Sequence, residues 1–260
     1  MSVNEKMTAI ADAIRDKTGT AEPLTLDDMA RGVNEVYDKG SAEGWTEFQN
    51  LLTNNGKRRV VNRMFTETDF TGKTFNPIWC PILLGSMFYN YSGKELPSGI
   101  DCSKAEQNET SIDHSVCPVL FVGYCYKLEN FPDIGIKPYK DITQMFRDCV
   151  VLRWIEVLRV FEETTFSNTF YACRALKHIR FEGVIGRDIS FSSSPLDIDS
   201  LKDIIFHLKK YAGTDSEGTY TLTLEDECKT KLQEDTQTVE LDGEVYTYFE
   251  LIAAKGWNLA

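Results

Sequence analysis

What the sequence has little of narrows the reading first. Cations are short: 28 Lys and Arg face 40 Asp and Glu, a formal charge of −12. Such a chain repels a phosphate backbone, which argues against nucleic acid as a partner. No apolar run approaches the ~18 residues of a membrane-spanning helix, so membrane insertion is not expected. Histidine is scarce; His114, His178 and His207 are the three present, and none has a second His at ligand spacing. The seven cysteines are odd in number and form no Cys-x-x-Cys, so neither a disulfide framework nor a zinc site is indicated. Asp197-x-Asp199 lacks the glycine and the twelfth-position Glu of a calcium loop and reads as helix capping. There is no Gly-x-Ser-x-Gly elbow, and Gly183 and Gly186 make no phosphate-binding pattern; they read as turns between strands. No metal, cofactor or catalytic centre is therefore expected. The N-terminus carries no basic region followed by an apolar run and a cleavage site. Synthesis in the cytoplasm without a Sec signal is expected, and Asn90-Tyr91-Ser92 and Asn108-Glu109-Thr110 are then chance matches to a glycosylation site.

What is present is ordinary globular composition over 260 residues, with 42% hydrophobic and 12% aromatic residues. That is enough for a packed core and too aromatic for disorder. Met7, Ile10, Ala11 and Ile14 recur at helical spacing before Gly19, and Thr25-x-x-Asp28 has the form of a capping box opening a second helix. Gly40 and Gly44 leave either a flat strip for a second helix or a linker. Residues 1–56 are read as a helical attachment or oligomerisation segment.

From about residue 62 the helical period gives way to short apolar groups between turn residues. Here the chain repeats itself. Val122-x-x-Cys125-x-x-Leu128-x-x-Phe131 aligns with Phe146-x-x-Cys149-x-x-Leu152-x-x-Ile155 and with Phe170-x-x-Cys173-x-x-Leu176-x-x-Ile179. Every column steps by 24. With 7 cysteines in 260 positions, each prescribed hit has a chance of about 0.03, and two together about one in a thousand. Met64-Phe65, Met87-Phe88, residues 96–102 and residues 112–119 look like looser relatives.

A unit of this length with Leu-x-x-Ile-x-(Val/Phe) near its end has the period of a leucine-rich repeat. No unit closes its own core; stacked units align their strands into a parallel sheet with a continuous interior. Leu152, Ile155 and Val157, and likewise Leu176, Ile179 and Phe181, should point inward, as should Leu128. Phe146 and Phe170 should fill the convex side. Cys125, Cys149 and Cys173 should sit one above another at a tight turn with no room for a larger or charged side chain. The expected fold class is α/β: a leucine-rich repeat solenoid over residues 57–196, with N-terminal helices and a small α/β cap over 197–260. Just before that cap, Ile189-Ser190-Phe191 reads as a last strand. A helix starting at Ser200 and carrying Leu201, Ile204, Ile205 and Leu208 should run to Gly213. Residues 219–224 read as strand, and 225–233 and 246–255 as helices.

Phe-x-x-Cys-x-x-Leu-x-x-Ile resembles the BspA-type leucine-rich repeats of bacterial surface and phage-associated proteins, closely over residues 122–181 and loosely over 65–118. Ile10-Ala11-Asp12-Ala13-Ile14-Arg15-Asp16-Lys17-Thr18-Gly19, with Pro23-Leu24-Thr25-Leu26-Asp27-Asp28-Met29, resembles the opening of prophage tail-region proteins of gut Firmicutes. The resemblance implies a virion-associated or extracellular recognition protein, with homo-oligomer formation through the N-terminal helices.

If Ile155 and Ile179 face inward, Asn130, Trp154, Glu156, His178, Arg180 and Glu182 face outward. Trp154 would lie beside His178, and Glu156 beside Arg180. Such a face can anchor a protein or glycan on a host surface; alternatively Glu156–Arg180 is a cross-strand pair and Trp154 covers the core. Cys173 and His178 are not expected to act as a catalytic thiol and imidazole, since Cys173 belongs to the core column. The function expected is non-catalytic recognition. A surface adhesin exported by a non-Sec route is the alternative, and a cell-wall glycan hydrolase the least favoured reading.

Overall fold

The computed structural model describes residues 88–103 and 121–260, the backbone of residues 74–79, and the isolated positions Asp12, Thr71 and Gly72. Apart from Asp12, the expected N-terminal helices lie outside the described residues, as do Met64-Phe65, Met87 and residues 112–119. In chain order the elements are β1 (Thr74–Trp79), β2 (Ser98–Asp101), β3 (Asn130–Phe131), β4 (Tyr139–Asp141), β5 (Trp154–Thr165), β6 (His178–Gly183), β7 (Ile189–Phe191) and α1 (Ile198–His207). They continue with β8 (Thr221–Leu224), α2 (Asp226–Glu234), β9 (Thr238–Leu241), β10 (Glu244–Thr247), α3 (Tyr248–Ala254) and β11 (Asn258–Leu259).

The architecture is α/β, and parallel pairing dominates it. β1 pairs with β2, β5 with β3, β4 and β6, and β8 with β7 and β11, all parallel. The β9–β10 hairpin is antiparallel. The 24-residue step is visible as strand register: Asn130 faces Trp154 and Trp154 faces His178, while Phe131, Ile155 and Ile179 form the adjoining buried row. The amide of Arg153 donates to the carbonyl of Glu129 (2.8 Å), and that of Lys177 to Arg153 (3.0 Å).

The three cysteines hold the opposite corner of each unit. Cys125 Sγ donates to the Phe88 carbonyl (3.0 Å), Cys149 Sγ to Val122 (2.9 Å) and Cys173 Sγ to Phe146 (3.1 Å). All three are fully buried. The residue before each cysteine, Tyr124, Asp148 or Ala172, has a positive φ of 58–62°. Left-handed backbone costs an L-residue roughly 1–2 kcal/mol. The conformation turns the amide along the stack: Tyr124 N–H donates to the Arg147 carbonyl (2.6 Å) and Asp148 N–H to Tyr171 (2.8 Å). Behind the cysteines, the rings of Phe146, Phe170 and Phe191 form a stack with centroid separations of 6.0 and 4.5 Å. Leu128, Leu152 and Leu176 are buried in the same core.

Several expectations are corrected. Val157 is half-buried, and Leu158 takes the inward place opposite Phe181. Ile155 pairs with Ile179 but Leu158 with Phe181, so β5 carries one extra residue, a bulge that flips the alternation. Gly183 is the last residue of β6, in register with Val160, rather than a turn between strands. A Cβ there would lie 2.0 Å from the Val160 carbonyl oxygen, so the glycine permits close approach of the two backbones. The helix α1 ends at His207, short of Gly213, because Ile185 and the 207–209 segment bond each other as a bridge. Tyr246 belongs to β10, not to the last helix. Its hairpin turns at Asp242-Gly243, both with positive φ, a sequence signal for a two-residue turn.

The exposed edge of β6 is covered by α1. Asp197 caps the helix by accepting from Ser200 N–H (2.8 Å). Ser200 Oγ then accepts from Ile179 N–H (3.0 Å), and Asp203 Oδ2 from Phe181 N–H (2.7 Å). Two side chains of one helix thus replace a neighbouring strand, which blocks edge pairing. At the other end of α1, Lys255 is buried and its ammonium donates to the carbonyls of Ile205 (3.0 Å), Phe206 (2.6 Å) and Leu208 (2.8 Å). These carbonyls belong to the last turn and cap of the helix, where orphan acceptors collect, and Ile205 also accepts from Leu208 N–H (3.3 Å). Burial pushes the Lys255 amine down to about 8.

Candidate binding face

The outward residues of β3, β5 and β6 build one continuous face. Alternation on a parallel strand turns Asn130, Trp154 and Glu156 out when Phe131 and Ile155 turn in. On β6, Arg180 and Glu182 are exposed and His178 is half-exposed. Trp154 keeps 42% of its surface in solvent. Its ring lies 4.4 Å from the His178 ring, tilted by 40°. His178 Nδ1 pairs on its other side with Asp197 Oδ2. Asp197 therefore serves both as helix cap and as the group that orients the imidazole.

A charged network occupies the next rows, with partners other than those expected. Glu156 and Arg180 form no ion pair among the described residues. Glu156 Oε2 instead accepts from the backbone N–H of Asp133 (2.9 Å). Arg159 is the centre: NH1 and NH2 donate to the two carboxylate oxygens of Asp133 (2.8 and 2.7 Å), and Nε donates to Glu182 (2.8 Å). The bidentate guanidinium holds the Asp133 carboxyl below its usual range. Asp133 in turn raises Arg159, which stays charged. The bulge in β5 is the cause. It sets Arg159 in register with Glu182, where an unbroken strand counted from the Ile155–Ile179 pair would set Leu158. Asp133, Arg159 and Asp197 are the members of this face that sequence reasoning missed. Opposite charges 23 to 26 residues apart, about one unit on, are the signal that points to the first two.

Cys173 is buried with its Sγ committed to a carbonyl, and burial pushes its thiol well above the ordinary range, the reverse of a reactive thiolate. His178, five residues on, is engaged by Trp154 and Asp197. Among the described residues no group of three His, Cys, Asp or Glu side chains could hold a metal ion. No described helix is long and apolar enough to cross a membrane. The chain matches no family model, and neither a curated protein nor a solved structure is significantly similar to it.

Proposed function

We propose that the chain is a non-catalytic recognition protein in which 24-residue units form a leucine-rich repeat solenoid of the BspA type. In this reading residues 57–196 are the solenoid, 197–260 its cap, and 1–56 an attachment segment through which copies oligomerise. The face of β3, β5 and β6 binds a protein or glycan on a host surface, in keeping with a prophage tail-region protein. The reading is supported by residues 24 apart facing one another across parallel strands and by the cysteine column behind them.

One observation carries the binding proposal: a tryptophan 42% exposed on the outer surface of a sheet, its ring laid on a histidine that a carboxylate fixes in place. An exposed aromatic held rigid by neighbours loses little entropy on binding and is the usual anchor of an interface. The network around Arg159 ties the adjoining rows together. A screen of host-surface proteins and glycans tests the proposal. Binding of a hit should weaken by about 2 kcal/mol or more in Trp154→Ala, as expected of an anchor. An unchanged affinity in a variant with an unchanged melting temperature would move the site elsewhere.

A further inference from the structure

A separate feature lies where the last unit meets the cap. A groove with about 460 Å³ of space lies between the end of β5 with the turn that follows it (165–168) and the outer surface of the β7–β8 strands. That volume falls within the roughly 300–1,000 Å³ of small-molecule sites. We propose that it binds a neutral saccharide.

The lining is hydroxylic on both walls. On one, Ile189 and Phe191 are buried, so Ser190 between them points out. On the neighbouring strand Leu222 and Leu224 are buried, and Thr221 and Thr223 take the outer side. Ser190 and Thr223 are register partners, which sets their hydroxyls side by side. On the opposite wall Ser167 and Asn168 are exposed, and Asn168 is held in the left-handed conformation that recurs from Gln144 one unit earlier. The hydroxyls of Ser167 and Thr223 and the side-chain amide of Asn168 enter no hydrogen bond among the described residues. They face solvent, so a ligand can exchange water for itself at each of them.

The charges in the groove cancel and are fixed. Asp188 accepts from Thr221 N–H (2.7 Å) through one oxygen, leaving the other for a ligand. Arg187 lies over the Tyr220 ring (5.2 Å) and donates to its hydroxyl. Tyr220 is itself wedged against Tyr211 and Trp257, with centroids 5.0 and 6.0 Å away. One cation already bound and one carboxylate give no net attraction for an anion. An apolar ligand would strand the three unbonded polar groups away from water. A saccharide offers a dense set of hydroxyls, each both donor and acceptor, and satisfies hydroxyl, amide and carboxylate together. The groove is independent of the Trp154 face, so the two sites fail or stand separately.

The test is saturation-transfer difference NMR on the full chain with glucose, galactose, mannose, N-acetylglucosamine and N-acetylgalactosamine. At least one should bind saturably. Asn168→Ala combined with Thr223→Ala removes two unbonded polar groups and should weaken that binding roughly tenfold or more. Ser190→Trp should fill the groove and abolish it. Thermal melts confirm that each variant folds, and the two variants act by different means, so a misfolded one leaves the other to decide. No saturable binding by any of the five sugars overturns the proposal. So does binding unchanged in both variants, or binding lost only in Trp154→Ala, which would give the sugar to the β3–β5–β6 face.

Discussion

Truncating Cys149 to Ala removes a single sulfur from a site with no solvent exposure. Its thiol spans two units by donating to the Val122 carbonyl at 2.9 Å. Losing a hydrogen bond of this kind costs about 0.5–1 kcal/mol, a thiol being a weak donor. Taking one heavy atom out of the core forfeits about 0.8 kcal/mol of transfer free energy, a CH₂ equivalent. The void adds roughly 0.5 kcal/mol, since both neighbouring cysteines are themselves packed and the stack cannot collapse into it. The expected loss is therefore about 2 kcal/mol, a large share of a domain stability of order 5–15 kcal/mol. Urea unfolding followed by circular dichroism should show a lower midpoint at unchanged slope. Cys125→Ala and Cys173→Ala should behave alike, because their sulfurs make the same bond at 3.0 and 3.1 Å. Cys149→Leu should cost more still, through overpacking. Losses below about 0.5 kcal/mol at all three positions, the range of surface substitutions, would refute the claim that the cysteine column holds the units together.

Two further outcomes are expected. Gly183→Ala should destabilise by about 3 kcal/mol or more, because its Cβ would meet the Val160 carbonyl oxygen at 2.0 Å and φ is +106°; a midpoint within error of the unsubstituted chain would show that β5 and β6 can move apart freely. Lys255→Met should change how stability depends on alkaline pH. The folded amine sits near 8 and the unfolded one near its ordinary 10.5, so between those values the unfolded chain binds more protons and this group makes stability rise with pH. The thiols of Cys125 and Cys173, pushed up by burial, act the other way above about 9, where the unfolded thiols ionise first. Urea midpoints at about pH 7.5, 9 and 10.3 should therefore fall more steeply with pH in Lys255→Met than in the unsubstituted chain; parallel curves would contradict the assignment.

The repeat is legible because packing against a copy of itself constrains every unit alike. Cys125, Cys149 and Cys173 occupy equivalent corners, and only a small apolar side chain with a donor fits there, so the same residue returns every 24 positions. Alternation along β6 likewise predicts which of His178, Ile179, Arg180 and Phe181 turn inward. The apolar stripe of α1 can be read directly, whereas its cap is left between Asp197 and Asp199 with a start at Ser200; the structure takes Asp197 and begins the helix at Ile198. The β9–β10 hairpin has no counterpart in the sequence reading, although Asp242-Gly243 carries its turn signal, and the apolar spacing that follows suggests a helix beginning two residues too early.

Residue spacing was enough to give the period, the buried columns and the parallel pairing of neighbouring units. Those properties depend on residues at fixed intervals, and intervals survive in one dimension. The rest was settled in three. One extra residue in β5 moved Arg159 into register with Glu182, put Leu158 where Val157 was expected and left Glu156 to the Asp133 backbone instead of Arg180. Lys255 reached across to close α1, and Ser200 and Asp203 closed the edge of β6. The first contacts lie about one unit apart yet out of step with the 24-residue period, and Lys255 reaches carbonyls 47 to 50 residues away; their partners were chosen by the space left once the core had packed.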